Sequence, residues 1–216
     1  MLKAVIFDLD GVLVDSTDLQ IEAMRIFIAS FSKVYSQPQS GREGMRIIDI
    51  ISDYKDIYDL PGTVNELYKK RQEIYFSLAR EKLELMRGAY ALLQKIKSLH
   101  LKLALATSGD SMYVQLIFHK FPLLSSYFST VVTGDDVLRG KPYLDIYKKV
   151  LESLKIQAHE AVAIEDSVNG ITSAKAANLQ VICVPNIHYY DADYSQADKI
   201  FNSLLEVADT IISPDV

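Results

Sequence analysis

Residues 1–16 read MLKAVIFDLDGVLVDS, an apolar run that ends in two aspartates one residue apart, Asp8 and Asp10, followed at once by Gly11. The stretch 3–8 has the length and the Val/Ile/Phe content of a buried strand. A strand that only filled a core would have little use for two charges at its end. Asp-x-Asp-Gly in isolation is a common turn, because Asp favours turns and Gly accepts positive φ. The rest of the chain decides whether this pair is a turn or a reactive centre.

Four more short apolar runs follow, at residues 101–107, 129–134, 161–166 and 180–185. Helical patterns lie between them, over 89–99, 112–120, 144–154 and 168–177. Strands without polar alternation, interleaved with amphipathic helices, predict a parallel sheet covered by helices. The expected fold class is therefore α/β, a Rossmann-like three-layer core. A further short strand is expected near 199–201, with Asn202 or Ser203 capping a last helix.

The rhythm breaks once. Between Thr17 and Glu84 there is no convincing strand but two or three helices. Residues 18–31, DLQIEAMRIFIASF, carry apolar side chains at roughly helical spacing. Residues 63–82 open with Thr63 and, three residues on, Glu66, a capping box. These features predict an all-helical cap at 17–84, inserted in a core made of 1–16 and 85–216. Residues 36–44 read as the loop within it, and Asp15 and Ser16 as the hinge.

At 216 residues with 49% apolar and 24% charged side chains, the chain has the composition of a soluble globular protein. A net charge of −5 and the lack of any Lys/Arg block argue against nucleic acid or an acidic membrane as partner. Cys183 is the sole cysteine, inside an apolar run, and reads as a buried thiol. Asp8 and Asp10 interrupt the apolar stretch that a signal peptide would continue, and no run approaches the ~18 apolar residues of a membrane span. These features predict a cytoplasmic protein.

Polar residues cluster where the predicted strands end. Asp8 and Asp10 end the first, Thr107 and Ser108 the second, and Glu165 and Asp166 the fourth. In open α/β sheets, ligands bind beyond the carboxyl ends of the strands. Four carboxylates brought to one spot would repel one another and any anionic substrate. A hard cation relieves this, and an all-oxygen ligand set favours Mg²⁺. Lys141, in RGKPYLDIY, would add a second positive charge, with Pro142 expected at the first position of the next helix. Thr107 and amides near 109–110 would donate to phosphate oxygens. The parts make a cradle for a phosphoryl group.

The stretches DLDGVLVDS, ATSG, GKP and IEDSVNGI resemble, in order, the four motifs of the haloacid dehalogenase-like superfamily of phosphotransferases. The helical insert is similar to the cap of its branch that includes β-phosphoglucomutase and small-molecule phosphatases. The resemblance implies that Asp8 is the nucleophile and forms an aspartyl-phosphate. It implies that Asp10 protonates the leaving oxygen and then activates water. Mg²⁺ would be held by the Asp8 side chain, the Asp10 backbone carbonyl and Asp166, with Glu165 nearby or acting through water. Thr107 and Lys141 would neutralise the transferring group, and Ser108 and Gly11 would complete the phosphate site. In the cap, Gln20, Arg42, Arg46 and Arg71 are the candidates for contact with the rest of the substrate.

The expected function is Mg²⁺-dependent hydrolysis of a small phosphate monoester, a sugar phosphate or similar metabolite, by a monomer. Two alternatives stand beside it: a β-phosphoglucomutase-like mutase, and a phosphometabolite-binding protein without turnover. Gln20 occupies the place where the mutases carry a histidine, and an amide cannot shuttle a proton. Asp10 and the acidic pair count against dehalogenation. Asn178 replaces a frequent glycine, and Asn tolerates the left-handed conformation. The four histidines fall outside the motifs, and residues 188–195 read as a surface loop or as part of the site mouth.

Overall fold

In the computed structural model, which describes residues 1–36, 41–189 and 191–210, the first apolar run forms β1 (Ala4–Phe7), buried along its whole length. After a tight turn, β2 (Val14–Asp15) pairs antiparallel with β3 (Glu84–Leu85). Between the two lie α1 (Thr17–Ala29), α2 (Ile47–Ile57) and α3 (Val64–Lys82). The chain then alternates through α4 (Ala89–Ser98), β4 (Lys102–Ala106), α5 (Ser111–Lys120), α6 (Pro122–Ser125) and β5 (Thr130–Val132). It continues through α7 (Asp145–Leu154), β6 (Ala161–Glu165), α8 (Val168–Ala176), β7 (Gln180–Cys183), β8 (Lys199–Ile200) and α9 (Leu204–Thr210).

The six-stranded sheet has the order β5-β4-β1-β6-β7-β8, and every pair in it is parallel. β1 sits between β4 and β6, so the strand order reverses at β1, and a crevice opens beyond its carboxyl end. This is the α/β fold expected from the alternation of runs. The β2–β3 ribbon was not anticipated, because two-residue strands carry no period to read. Pro142 is a correction: it lies ahead of α7, in a turn where Tyr143 N–H bonds to Gly140 O at 3.0 Å, and the helix starts only at Asp145.

Successive residues of a strand face opposite sides. Val5 and Phe7 join a cluster with Leu92, Leu93 and Ile96 of α4, Ile117 of α5 and Val207 of α9. Ala4 and Ile6 face the other way, with Ala104, Ala106, Ala161 and Ala163, onto Ile146, Tyr147 and Val150 of α7 and Ile171 of α8. The alanines let those helices lie close to the sheet.

The three helices between β2 and β3 have a cluster of their own, with Met24, Phe27, Ile28, Ile51, Tyr54 and Leu67 among its members. Thr63 caps α3 in the expected capping box with Glu66. Lower down, Tyr75, Phe76 and Ala79 of α3 and Leu19 and Ala23 of α1 join the main cluster. Of the expected loop at 36–44, residues 37–40 lie outside the described residues. Asn178 takes the left-handed conformation, with φ 60°. The Ser203 hydroxyl accepts from Glu206 N–H at 3.3 Å at the start of α9. Among the described residues, no helix is long and apolar enough to cross a membrane.

Enlarging the alanine face should force α7 and α8 off the sheet. Ala163→Leu is expected to cost about 1–3 kcal/mol, the range for overpacking a filled core, read as a lowered midpoint in urea unfolding.

Candidate active site

The turn after β1 is built by backbone bonds: Val14 N–H to Leu9 O at 3.0 Å and Gly11 N–H to Val14 O at 2.9 Å. Gly11 has φ +74°, and a Cβ there would stand 1.8 Å from Asp166 Oδ2. Only glycine fits both the backbone angle and the space. The turn thereby brings Asp8 and Asp10 against the end of β6.

Lys141 is buried between two of the acids. Its Nζ donates to Asp8 Oδ1 at 2.7 Å and to Glu165 Oε1 at 2.6 Å. Tyr147 OH donates to the same Glu165 oxygen at 2.5 Å. The other oxygen, Oε2, accepts from Asp166 N–H and Ser167 Oγ, both at 3.3 Å. Asn186 Nδ2 donates to Asp166 Oδ2 at 3.0 Å and to Thr17 Oγ1 at 2.9 Å. Three buried carboxylates thus face a single ammonium.

The electrostatic consequence is strain on the charged forms. Burial raises the Asp8 carboxyl to about 7; Lys141 works against the rise, while Glu165 and Asp10 add to it. Burial, with Asp8 and Glu165 as neighbours, also raises Asp166 well above the usual range. Burial alone would push the Lys141 ammonium down, but Asp8 and Glu165 outweigh it and raise it. Oxygens of Asp8, Glu165 and Asp166 lie within 4.8 Å of one another. This crowded, all-oxygen donor set fits a hard divalent cation, which would hold the carboxylates ionised. Glu165 is already engaged through both oxygens, so Asp8 and Asp166 are the better placed side-chain ligands.

Asp10 sits apart from the ammonium. Its Oδ1 accepts from Ser16 Oγ at 2.5 Å and from Tyr113 OH at 2.6 Å. Tyr113 OH in turn accepts from Tyr75 OH at 2.9 Å. Burial raises the Asp10 carboxyl, and the Ser16 and Tyr113 hydrogen bonds oppose the rise.

Asp8, Asp10, Ser108 and Asp166 line a cavity of about 280 Å³ between the sheet and the three inserted helices. Thr107, Lys141 and Glu165 are buried, as are Asp8 and Asp166, whereas Asp10 and Ser108 are partly exposed. Thr107 Oγ1 accepts from Gly109 N–H at 3.0 Å, shaping the turn into α5. Ser108 Oγ donates to Gly44 O at 2.5 Å, a bond to the inserted helical segment. More bonds join the two walls: Asn169 Nδ2 to Glu43 O at 2.8 Å, Arg46 Nη1 to Val137 O at 3.3 Å and Gln72 Nε2 to Asp110 Oδ2 at 3.1 Å.

Of the residues expected to meet the rest of the substrate, Gln20, Arg42 and Arg46 line the cavity. Arg71 is a correction. It is fully buried and donates to Gln72 Oε1 at 2.9 Å, to Gln20 O at 3.1 Å and to Gln20 Oε1. Leu67, Arg71, Tyr75 and Ala79 recur every fourth residue, so Arg71 lies on the buried stripe of α3. That spacing was available in the sequence. Tyr113, Tyr147 and Asn186 were missed, and no motif points to them. Tyr189, from the stretch 188–195, lines the cavity, whereas Tyr190 lies outside the described residues.

The family model described as haloacid dehalogenase-like hydrolase matches residues 5–184. The chain belongs to the haloacid dehalogenase-like hydrolases. It is 33% identical over 188 residues to a phosphorylated carbohydrates phosphatase of Thermotoga maritima, covering 84% of each chain. It is 29% identical over 212 residues to a bifunctional riboflavin kinase/FMN phosphatase of Arabidopsis thaliana, covering 95% of this chain but spanning only 54% of that protein. Among solved structures, CbbY from Rhodobacter sphaeroides in complex with xylulose-(1,5)bisphosphate superposes with TM-score 0.86 at 25% identity, covering 95% of this chain and 96% of that one.

In this haloacid dehalogenase-like hydrolase, Tyr147→Phe removes one of the donors to buried Glu165. It is expected to cost about 1–3 kcal/mol, the penalty for under-satisfying a buried acceptor, read from urea unfolding of the two proteins.

Proposed function

We propose that this hydrolase is a Mg²⁺-dependent phosphatase that cleaves a small phosphate monoester through an aspartyl-phosphate on Asp8. One observation carries the reading: Asp8, Lys141, Glu165 and Asp166 cluster at the ends of two neighbouring strands, with Asp10 on the same turn as Asp8. The phosphatase names of the Thermotoga and Arabidopsis relatives support it.

In this reading the Asp8 carboxylate attacks phosphorus, and the bond from phosphorus to the alcohol oxygen breaks. Asp10 gives its proton to that oxygen as the alcohol leaves. Two hydroxyls already occupy Asp10 Oδ1, which leaves Oδ2 to carry the proton. Asp10 then takes a proton from water, water adds to the acyl-phosphate phosphorus, and the bond to Asp8 breaks to release phosphate. Lys141 holds Asp8 in place and, with the Thr107 hydroxyl, balances charge on the phosphoryl group, while the Gly11 N–H and the Ser108 hydroxyl are held by Val14 O and Gly44 O. Mg²⁺, held by Asp8, the Asp10 carbonyl and Asp166, would supply further neutralisation of the phosphoryl oxygens. Residues 17–84 act as a cap that closes over the site and excludes water. The enzyme is a cytoplasmic monomer whose site is completed by one chain.

Gln20 argues against a mutase, since its amide oxygen is held by the Arg71 guanidinium and it has no proton to exchange. A protein that only bound its ligand would have no need of Asp10 as an acid and base.

Asp8→Asn is expected to bring phosphate release to background, and Asp10→Asn to lower kcat about 10²–10⁴-fold, with circular dichroism unchanged in both. Activity surviving Asp8→Asn would exclude the covalent route. Chelation of divalent ions should abolish release, and added Mg²⁺ should restore it; release that is indifferent to chelator would exclude the metal.

A further inference from the structure

The wall opposite the phosphate site is short of free positive charge. Arg46 is forked onto Asp49, Nε to Oδ2 at 2.8 Å and Nη2 to Oδ1 at 2.9 Å. Arg71 lies off the cavity, buried among Gln20, Gln72 and Tyr75. Arg42 shares its charge with Asp53, 3.7 Å from its Nε, and with the face of Tyr54, 5.4 Å from its guanidinium carbon. Acids face these cations: Glu43, Asp110 and Asp135 all line the cavity. Asp110 already accepts from Tyr68 OH and Gln72 Nε2, and Asp135 accepts from Ser111.

Glu43 differs from the other two. Its residue is only 6% exposed, and its Oε2 is buried with no hydrogen-bond partner. The neighbouring Arg42 Nε is buried as well and makes no hydrogen bond, its ion pair with Asp53 lying at 3.7 Å. An unsatisfied carboxylate oxygen in such a place is costly, and it calls for a donor that none of the described residues provides. A hydroxyl suits Glu43, because its hydrogen can go to the carboxylate. A second phosphoryl group does not suit it. Such a group would bring about −1.5 to −2 charges to a wall whose cations are already engaged and whose buried acid faces it. The volume of about 280 Å³ lies at the small end of the ~300–1,000 Å³ usual for ligand sites, which favours a compact alcohol.

We infer that the site selects monophosphates of small polyhydroxy alcohols over the corresponding bisphosphates, with Glu43 as the acceptor for a hydroxyl of the leaving group. The inference rests on the phosphatase reading and adds to it the class of leaving group and a specificity residue.

The test is a kinetic comparison with Mg²⁺ of matched pairs: fructose 6-phosphate against fructose 1,6-bisphosphate, and ribulose 5-phosphate against ribulose 1,5-bisphosphate. p-Nitrophenyl phosphate and phosphoethanolamine complete the set. Wild-type kcat/KM is expected to favour the monophosphates by about tenfold or more, the weight of one hydrogen bond to a charged group. Glu43→Gln, nearly isosteric, should raise KM for the preferred monophosphate by about tenfold, leave kcat within about twofold and narrow the preference over the bisphosphate. A wild-type preference for bisphosphates overturns the inference and leaves the phosphatase reading intact. So does a preference for phosphoethanolamine, whose ammonium would be the partner of Glu43. An unchanged KM in Glu43→Gln removes the assignment of that residue. No release from any of the compounds, p-nitrophenyl phosphate included, overturns the phosphatase reading and the inference with it.

Discussion

The buried ammonium of Lys141 is the contact on which the centre depends. It touches Asp8 at the end of β1 and Glu165 at the end of β6, and it comes from the turn ahead of α7. Three segments far apart in the chain are thereby held to one point. Without it, the carboxylates of Asp8 and Glu165 would lose the one cation that pairs with them among the described residues, and burying charge unpaired is among the costliest things a fold can do. Tyr147, the Asp166 N–H and the Ser167 hydroxyl complete the bonds to Glu165, and Asn186 holds one oxygen of Asp166. The centre is therefore strongly tied on its protein side, and its acids still outnumber its bases.

Asp110 plays a comparable part where the core meets the inserted helices. It caps α5, accepting from Tyr113 N–H at 2.6 Å, and it also accepts from Tyr68 and Gln72 on α3. One carboxylate thus anchors a core helix and receives the inserted helices. Tyr113, on the first turn of α5, reaches Asp10. The position of α3 and the environment of Asp10 are therefore linked through a single helix start, and the Tyr75–Tyr113 hydrogen bond closes the same circuit.

The sheet was legible because doubly buried parallel strands are continuous apolar runs, and three of those runs ended in polar residues that have no place in a core. The runs at 101–107 and 161–166 contain β4 and β6, within a residue or two at each end. Thr63 and Glu66 marked the start of α3 because a capping box is a local signal. Contacts made across the chain were not legible. Arg71 looks like a surface charge until its four-residue spacing from Leu67 and Tyr75 is followed. Tyr147 and Asn186 sit in ordinary helical and loop sequence, and only tertiary packing turns them toward Glu165 and Asp166. The motifs identified the acids, while the groups that hold those acids had no local signature.

The pairing of β1 with its two neighbours runs level: Phe7 lies opposite both Leu105 and Ile164. Backbone bonds set that alignment, and the side chains need only be apolar and of suitable size. The polar residues at the strand ends are thus delivered to one plane by a frame that is indifferent to the identity of most residues within it. Such a frame can drift widely over evolutionary time without moving its reactive atoms. The close superposition on a chain sharing a quarter of its residues is what that freedom leads one to expect. Change can then concentrate in the inserted helices, which line the other side of the cavity, and leave the frame beneath untouched.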